Sequence, residues 1–218
     1  MTDVATRLAP RLAASVEEGD ALRRLLDATW QDLLEGGFLR APQPQRRGGG
    51  ELSFVEFLDG EMKVAEGNAS AGRVAGVIGA QRWQLALFPE QAQEEMWAAD
   101  ASVLRSSSYP PTRTAHKVGG GYRASSRWSF SSGCDHCRAV NLGAVAGMHA
   151  LGDTELPDFP SFILYCDQYQ IIDNWQTAGM RGTGSEDIVV DGVLVPACRC
   201  QSQLDYAFNI SFPVRETN

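Results

Sequence analysis

The densest group of reactive side chains in the 218-residue chain is Cys134-Asp135-His136-Cys137, with Cys198 and Cys200 further on. Structural zinc sites repeat a C-x2–4-C spacing in both halves. The second pair is C-x-C with no other Cys or His around it, so the spacing argues against a metal. Disulfide frameworks belong to short secreted domains, and the N-terminus lacks a basic-then-apolar leader. Free thiols and a cytoplasmic location are the expectation. A second concentration is electrostatic: Arg105, Arg113, Lys117, Arg123, Arg127 and Arg138 are opposed locally only by Asp135. This island can hold one small phosphorylated ligand, or its members can pair with acidic neighbours from other segments. The chain as a whole has 19 Lys and Arg against 27 Asp and Glu, net −8, which repels nucleic acid and anionic membranes at long range. No G-x-G-x-x-G follows a strand-like run and no Walker A string occurs, which argues against Rossmann and P-loop chemistry.

The elements that must position such groups change character near residue 100. Before it the chain reads as helices. Asp20 can cap a helix over Ala21–Leu34, with Leu22, Leu25, Leu26, Trp30, Leu33 and Leu34 on one face. A second helix is predicted over Ser53–Ala65 and a third over Arg73–Phe88, capped by Asn68 or Ser70. A fourth, short one opens at Pro89 and runs through Trp97. Gly72, Gly76 and Gly79 make the third helix small-sided, which suits either a close backbone neighbour or a flat ligand. After Asp100, short runs rich in β-branched and aromatic residues, broken by Gly, Pro or Asp, read as strands. They are Ser102–Ser108, Thr112–Val118, Gly121–Trp128, Ala139–Ala146, Phe159–Cys166, Gln168–Ile172 and Asp187–Val195. Lys117–Arg123, with three glycines, reads as a hairpin turn. Helices followed by strands, unmixed, define an α+β class: an N-terminal helical domain over 1–100, an antiparallel β-barrel or sandwich over 101–199, and a short divergent tail over 200–218.

Several strings, in order from about Asp20 to Arg199, carry a resemblance: Arg82-Trp83-Gln84-Leu85-Ala86-Leu87-Phe88-Pro89-Glu90, Gly120-Gly121-Tyr122-Arg123, Arg127-Trp128-Ser129-Phe130-Ser131-Ser132-Gly133, Asp173-Asn174-Trp175, Gly179-Met180-Arg181-Gly182-Thr183-Gly184-Ser185 and Val195-Pro196. In these the chain resembles the oxygenase components of two-component flavin monooxygenases, which hydroxylate phenols and share the acyl-CoA dehydrogenase fold. The resemblance implies reduced FMN or FAD as cofactor, a separate flavin reductase as its source, and a small phenolic substrate. It also implies a C-terminal four-helix bundle that builds an oligomer and supplies a catalytic histidine. Cys200–Asn218 does not resemble that bundle, and none of His116, His136 and His149 matches that histidine. The expectation is therefore a chain without the bundle, which self-associates or meets a bundle-bearing partner. On that ground a non-catalytic flavin- or partner-binding remnant also stays open. An acyl-CoA dehydrogenase proper is disfavoured, because that family's Thr-Glu-Pro stretch is replaced by Ser106-Ser107-Ser108-Tyr109-Pro110-Pro111-Thr112.

By the same resemblance, Ser131 and Ser132 are the catalytic hydroxyls beside the flavin, with Ser106, Ser107 and Ser108 on a neighbouring strand and Trp128, Phe130 and Gly133 flanking. Trp83 either walls the flavin or packs in a core. Arg181 and Gly182–Ser185 form either an anion-approaching turn or a glycine-rich connection. Arg73 stands where relatives tend to carry an aromatic residue, and it either points to solvent or alters the pocket.

Overall fold

A computed structural model describes residues 1–98, 100–110, 113–151 and 154–202. Among the described residues six α-helices come first: α1 (Thr2–Ala14), α2 (Val16–Leu22), α3 (Asp27–Glu35), α4 (Phe54–Gly67), α5 (Ala69–Leu85) and α6 (Glu90–Trp97). Local chemistry sets their starts. Ser53 and Glu56 form a reciprocal capping box on α4. Asn68 Oδ1 accepts from Ala71 N at 3.0 Å to open α5. The helix expected over Ala21–Leu34 is instead broken. Arg23 takes a left-handed conformation, φ 59°, at the end of α2, and its guanidinium reaches across to Asp173 and to the Trp175 carbonyl. A tertiary contact overrides the heptad-like leucines there.

The small-sided helix resolves in favour of close backbone packing. Gly72, Gly76 and Gly79 on α5 face Ala65, Glu61 and Phe57 on the antiparallel α4. The helical core gathers Leu12, Leu33, Phe38, Val64, Val74 and Ile78, all 0% exposed.

Ten strands follow within the described residues: β1 (Arg105–Ser108), β2 (Ala115–Val118), β3 (Gly121–Ser131), β4 (Ala139–Gly143), β5 (Gly147–Leu151), β6 (Thr154–Asp158), β7 (Pro160–Tyr165), β8 (Gln170–Ile172), β9 (Glu186–Pro196) and β10 (Cys200–Ser202). One sheet has the order β1-β4-β7-β10, a second β2-β3-β9-β8, and β5-β6 form a separate hairpin. Among the described residues these sheets stack as a sandwich and do not close into a barrel. Trp128, Ile188 and Val190 from one sheet meet Val140, Leu142, Phe162 and Leu164 from the other. One pair departs from the antiparallel expectation: β1 runs parallel to β4, because the β2–β3 excursion into the second sheet returns the chain in the same sense. The predicted hairpin joins β2 to β3 through Gly119-Gly120, with Gly120 at φ 84°. The β5–β6 hairpin and β10 carried no sequence signal. Of the expected tail, only Cys200–Ser202 lies within the described residues; Pro111, in the string from Ser106, and Thr112, the first residue of an expected strand, lie outside them.

The outer face of the first sheet carries the helices, with Ala139 and Ile163 packing against Leu85, Phe88, Met96 and Trp97. No helix among the described residues is long and apolar enough to cross a membrane.

Candidate functional site

Where β1 meets the end of β3, Ser106 and Ser108 of β1 come up against Ser131 and Ser129 of β3, with Ser132 next in the chain, while Ser107 lies on the other face of β1. Ser106, Ser107, Ser108, Ser131 and Ser132 are buried, so their hydroxyls need partners. Ser131 Oγ donates to Ser106 Oγ at 2.9 Å and Ser108 Oγ to the Ser129 carbonyl at 2.5 Å. Ser132 begins a longer chain: its Oγ lies 2.8 Å from Ser185 Oγ, which lies 2.7 Å from Thr183 Oγ1, which donates to the Met180 carbonyl at 2.8 Å. A hydroxyl has one proton. Thr183 spends its own on Met180, so Ser185 donates to Thr183 and Ser132 to Ser185. Ser132 is thereby held as an acceptor toward anything else. Ser106 is the reverse case, since its proton has no acceptor among the described residues.

The strand geometry explains why these hydroxyls gather. The β3–β9 register shifts between Trp128 and Ser131, and Phe130 takes φ 68°, a conformation rare for a bulky residue. That turn sends the Phe130 ring outward, 66% exposed, while Ser131 on its C-terminal side points in. Trp128 lies on the inner side of the same strand, fully buried between the sheets, its Nε1 donating to the Gly143 carbonyl at 2.7 Å. Gly133, at φ 70°, sits against Val74 and Ile78 of α5. Trp83 lies on the α4 side of α5, edge-on to Phe54 at 5.0 Å; its ring contact is there, not at the serines. Arg73 is exposed and borders an apolar groove of about 390 Å³ with Val55, Leu58, Met62 and Ala65.

Arg181 and its glycine-rich turn do approach an anion, and it is the chain's own. Gly182 N donates to Asp20 Oδ1 at 2.9 Å and Arg181 Nε to the Asp20 carbonyl at 3.1 Å. The end of α2 is thus clamped onto the loop that carries Thr183 and Ser185. The basic island is dispersed: Arg127 pairs with Asp187 at 2.5 Å, Arg123 reaches the Gly192 carbonyl and Arg105 the Gln81 carbonyl. The Cys134-x-x-Cys137 string is split. Cys134 enters the sandwich core and burial pushes its thiol up to about 12, whereas Cys137 packs against the helical core. His136 stacks on Trp30 at 4.4 Å and donates from Nε2 to the Leu25 carbonyl at 3.2 Å. Burial lowers its pKa. Sequence reasoning read Gly182–Ser185 only as a backbone turn and gave the Thr183 and Ser185 hydroxyls and Trp175 no role, and it did not connect Asp20 and Arg23 to the β-layer. A quartet between α5 and β4 was also missed, in which Asn141 Nδ2 donates to Gln81 Oε1 and Gln84 Oε1, and Tyr109 Oη lies 2.6 Å from Gln84 Oε1 and 2.9 Å from Gln81 Oε1 with one proton for the two.

A helical layer packed on a β-sandwich is the architecture of the acyl-CoA dehydrogenase-like flavoproteins. The crystal structure of 3-HSA hydroxylase from Rhodococcus sp. RHA1 superposes with TM-score 0.89 at 37% identity, over 96% of this chain and 53% of that one. The flavin-dependent monooxygenase oxygenase subunit HsaA of Rhodococcus jostii is 39% identical over 211 residues, 97% of this chain and 54% of its own. The FADH(2)-dependent resorcinol hydroxylase oxygenase component of a Rhizobium is 35% identical over 75% of this chain and 39% of its own. No protein-family profile matches the chain. The chain belongs to the oxygenase components of flavin-dependent monooxygenases, and it spans about half the length of the curated relatives it matches.

Proposed function

We propose that this chain forms the flavin-binding half of an aromatic hydroxylase oxygenase component, which receives reduced FMN or FAD from a separate reductase and acts on a small phenol. The observation that carries the reading is the hydroxyl lip, found in a chain whose relatives are named as flavin-dependent hydroxylases of aromatic compounds. The donor set fits a flavin. Such a ring offers both acceptors and, when reduced, an N–H at N5. The lip provides a held acceptor at Ser132, beside the exposed ring of Phe130, with the Ser106 hydroxyl, which has no acceptor among the described residues, buried behind it. Ser131 and Ser132 are the residues we assign to the reacting edge, with Ser106, Ser107, Ser108 and Gly133 around them.

When bound, the flavin supplies the oxygen chemistry. The protein's part is to orient the ring and to keep water from it. Residues of this chain orient the ring by fixed hydrogen bonds, and the Asp20–Gly182 clamp holds the loop that fixes Ser132. Val55, Leu58 and Met62 stand 69, 47 and 59% exposed along α4, too contiguous a face to remain open, so a second copy or a helical partner chain covers it. The free state of all five cysteines suits a reducing, cytoplasmic compartment.

The test is an anaerobic titration of the purified protein with photoreduced FMN and FAD, alongside light scattering. Saturable binding, weakened by Ser132→Ala, together with an oligomer or a complex, is the expected result. Absence of any flavin binding refutes the proposal.

A further inference from the structure

The β4–β7 ladder does not stop where the first sheet ends. Ala144 N donates to the Pro160 carbonyl at 3.1 Å and Ala146 N to the Asp158 carbonyl at 2.9 Å, which carries the pairing on into β5 and β6. From Gly143, opposite Ser161, to Gly147, opposite Asp158, one strand advances four residues and its partner three. The extra residue makes a β-bulge, where Gly147 takes φ 140°, a backbone open to glycine. Bulges bend and twist a ribbon, and beyond this one the ribbon is a two-stranded arm. No arm residue whose burial is described is buried. Met148 is 57% exposed, and Gly147, Ala150, Thr154, Glu155 and Pro157 are exposed as well. A two-stranded hairpin without a third strand or a packed face is marginal in water, so the arm needs a neighbour.

Its two edges are not equivalent. β6 is guarded: Pro157 offers no N–H, and Glu155 and Asp158 bring negative charge, the devices by which an edge strand turns partners away. β5, Gly147-Met148-His149-Ala150-Leu151, has no proline, carboxylate, lysine or arginine. On its outer side the bridge from Thr114 to Val145 ends before the arm begins, and no other strand among the described residues pairs with it.

We infer that β5 pairs with β5 of a second copy, antiparallel about a two-fold axis, so that two arms close into one four-stranded sheet. The chemistry of the edge selects this occupant. Unpaired N–H and C=O groups take a strand, and an antiparallel pair of identical strands is self-complementary about a two-fold. Closure also leaves the two guarded β6 edges outermost, so the sheet grows no further. The register that pairs all five residues puts the axis at the His149 backbone. Met148 of each copy then lies opposite Ala150 of the other, and the two Met148 side chains are diagonal neighbours on one face. This contact is separate from the exposed face of α4 and does not depend on flavin binding.

The experiment follows the particle mass of the full chain by light scattering on dilution, for the wild type, Met148→Lys, Met148→Glu and an equal mixture of the two variants. Met148 stands in solvent in the single copy, so both variants fold, and far-ultraviolet circular dichroism checks that they do. In each variant like charges meet across the axis, and the concentration at which the mass halves is expected to rise roughly tenfold. The mixture sets opposite charges across the axis and is expected to return to within about threefold of wild type. A wild-type chain that is a monomer throughout overturns the pairing. So do unchanged midpoints in both variants, which put any contact between copies elsewhere, and so does a mixture that associates no better than its components.

Discussion

The glycine stripe of α5 permits a prediction whose size follows from the distances. A Cβ added at Gly72 would lie 2.5 Å from Ala65 Cβ, 2.8 Å from Ala65 Cα and 2.9 Å from Ala65 N. Ordinary carbon contacts are ~3.5–4.0 Å, so α4 and α5 would have to separate by about 1 Å, and the obstruction is backbone that cannot rotate away. Overpacking of that kind costs about 1–3 kcal/mol, while replacing a helical glycine by alanine returns up to about 1 kcal/mol. Gly72→Ala is expected to lose about 1–2 kcal/mol net on these two scales. Gly76→Ala is the internal control. The nearest atoms to its Cβ are the carboxyl group of Glu61, a half-buried side chain whose pKa burial has raised. That carboxyl can swing to water, which favours its charged form, so Gly76→Ala is expected to be neutral or stabilising. Urea unfolding of the three proteins checks this, with the Gly72→Ala midpoint falling by roughly 0.5 M or more. A Gly72→Ala protein as stable as Gly76→Ala would show that the two helices are not locked at this spacing, and the argument from backbone contact would fail.

Three other outcomes follow from the site. Ser185→Ala removes the acceptor that holds the Ser132 proton, so Ser132 becomes able to donate; the affinity for oxidised relative to reduced flavin should rise about tenfold, and an unchanged ratio argues that the hydroxyl chain does not set its direction. Burial holds the His136 pKa below its usual value, so the unfolded chain takes up a proton first and stability falls as pH drops through ~6.5. His136→Phe, which keeps the stack on Trp30, should flatten that part of a denaturation series between pH 7.5 and 5.5. Arg82 is 2% exposed, with its guanidinium on Gln43 Oε1 and the Ala101 and Ser102 carbonyls. Burial lowers its pKa to about 9. Arg82→Met strands three acceptors and should cost roughly 3 kcal/mol, read as a lowered thermal midpoint.

Much of the architecture is written in local chemistry. The Ser53–Glu56 capping box, the Asn68 cap, the glycine hairpin at 119–120 and the alternation of the later strands each depend on neighbours a few residues apart, so sequence alone determined them. The order of helices before strands fixed the α+β class in the same way, and the motifs from Arg82 to Pro196 pointed to the family and to the serine lip. Other features depend on groups far apart in the chain. Arg23 breaks a leucine-patterned helix because Asp173 and Trp175, some 150 residues later, meet it in space, and no periodicity encodes that meeting. The anion at the Gly182 turn is Asp20, and the proton direction of Ser132 is decided by Thr183 and Met180. Spacing placed Trp128 beside the serines, whereas the pleat of β3 sends its ring into the sandwich and the left-handed turn at Phe130 sends the next aromatic ring out. A hydrogen bond has a direction and a side chain has a face, and both are settled only when the sheets close over one another.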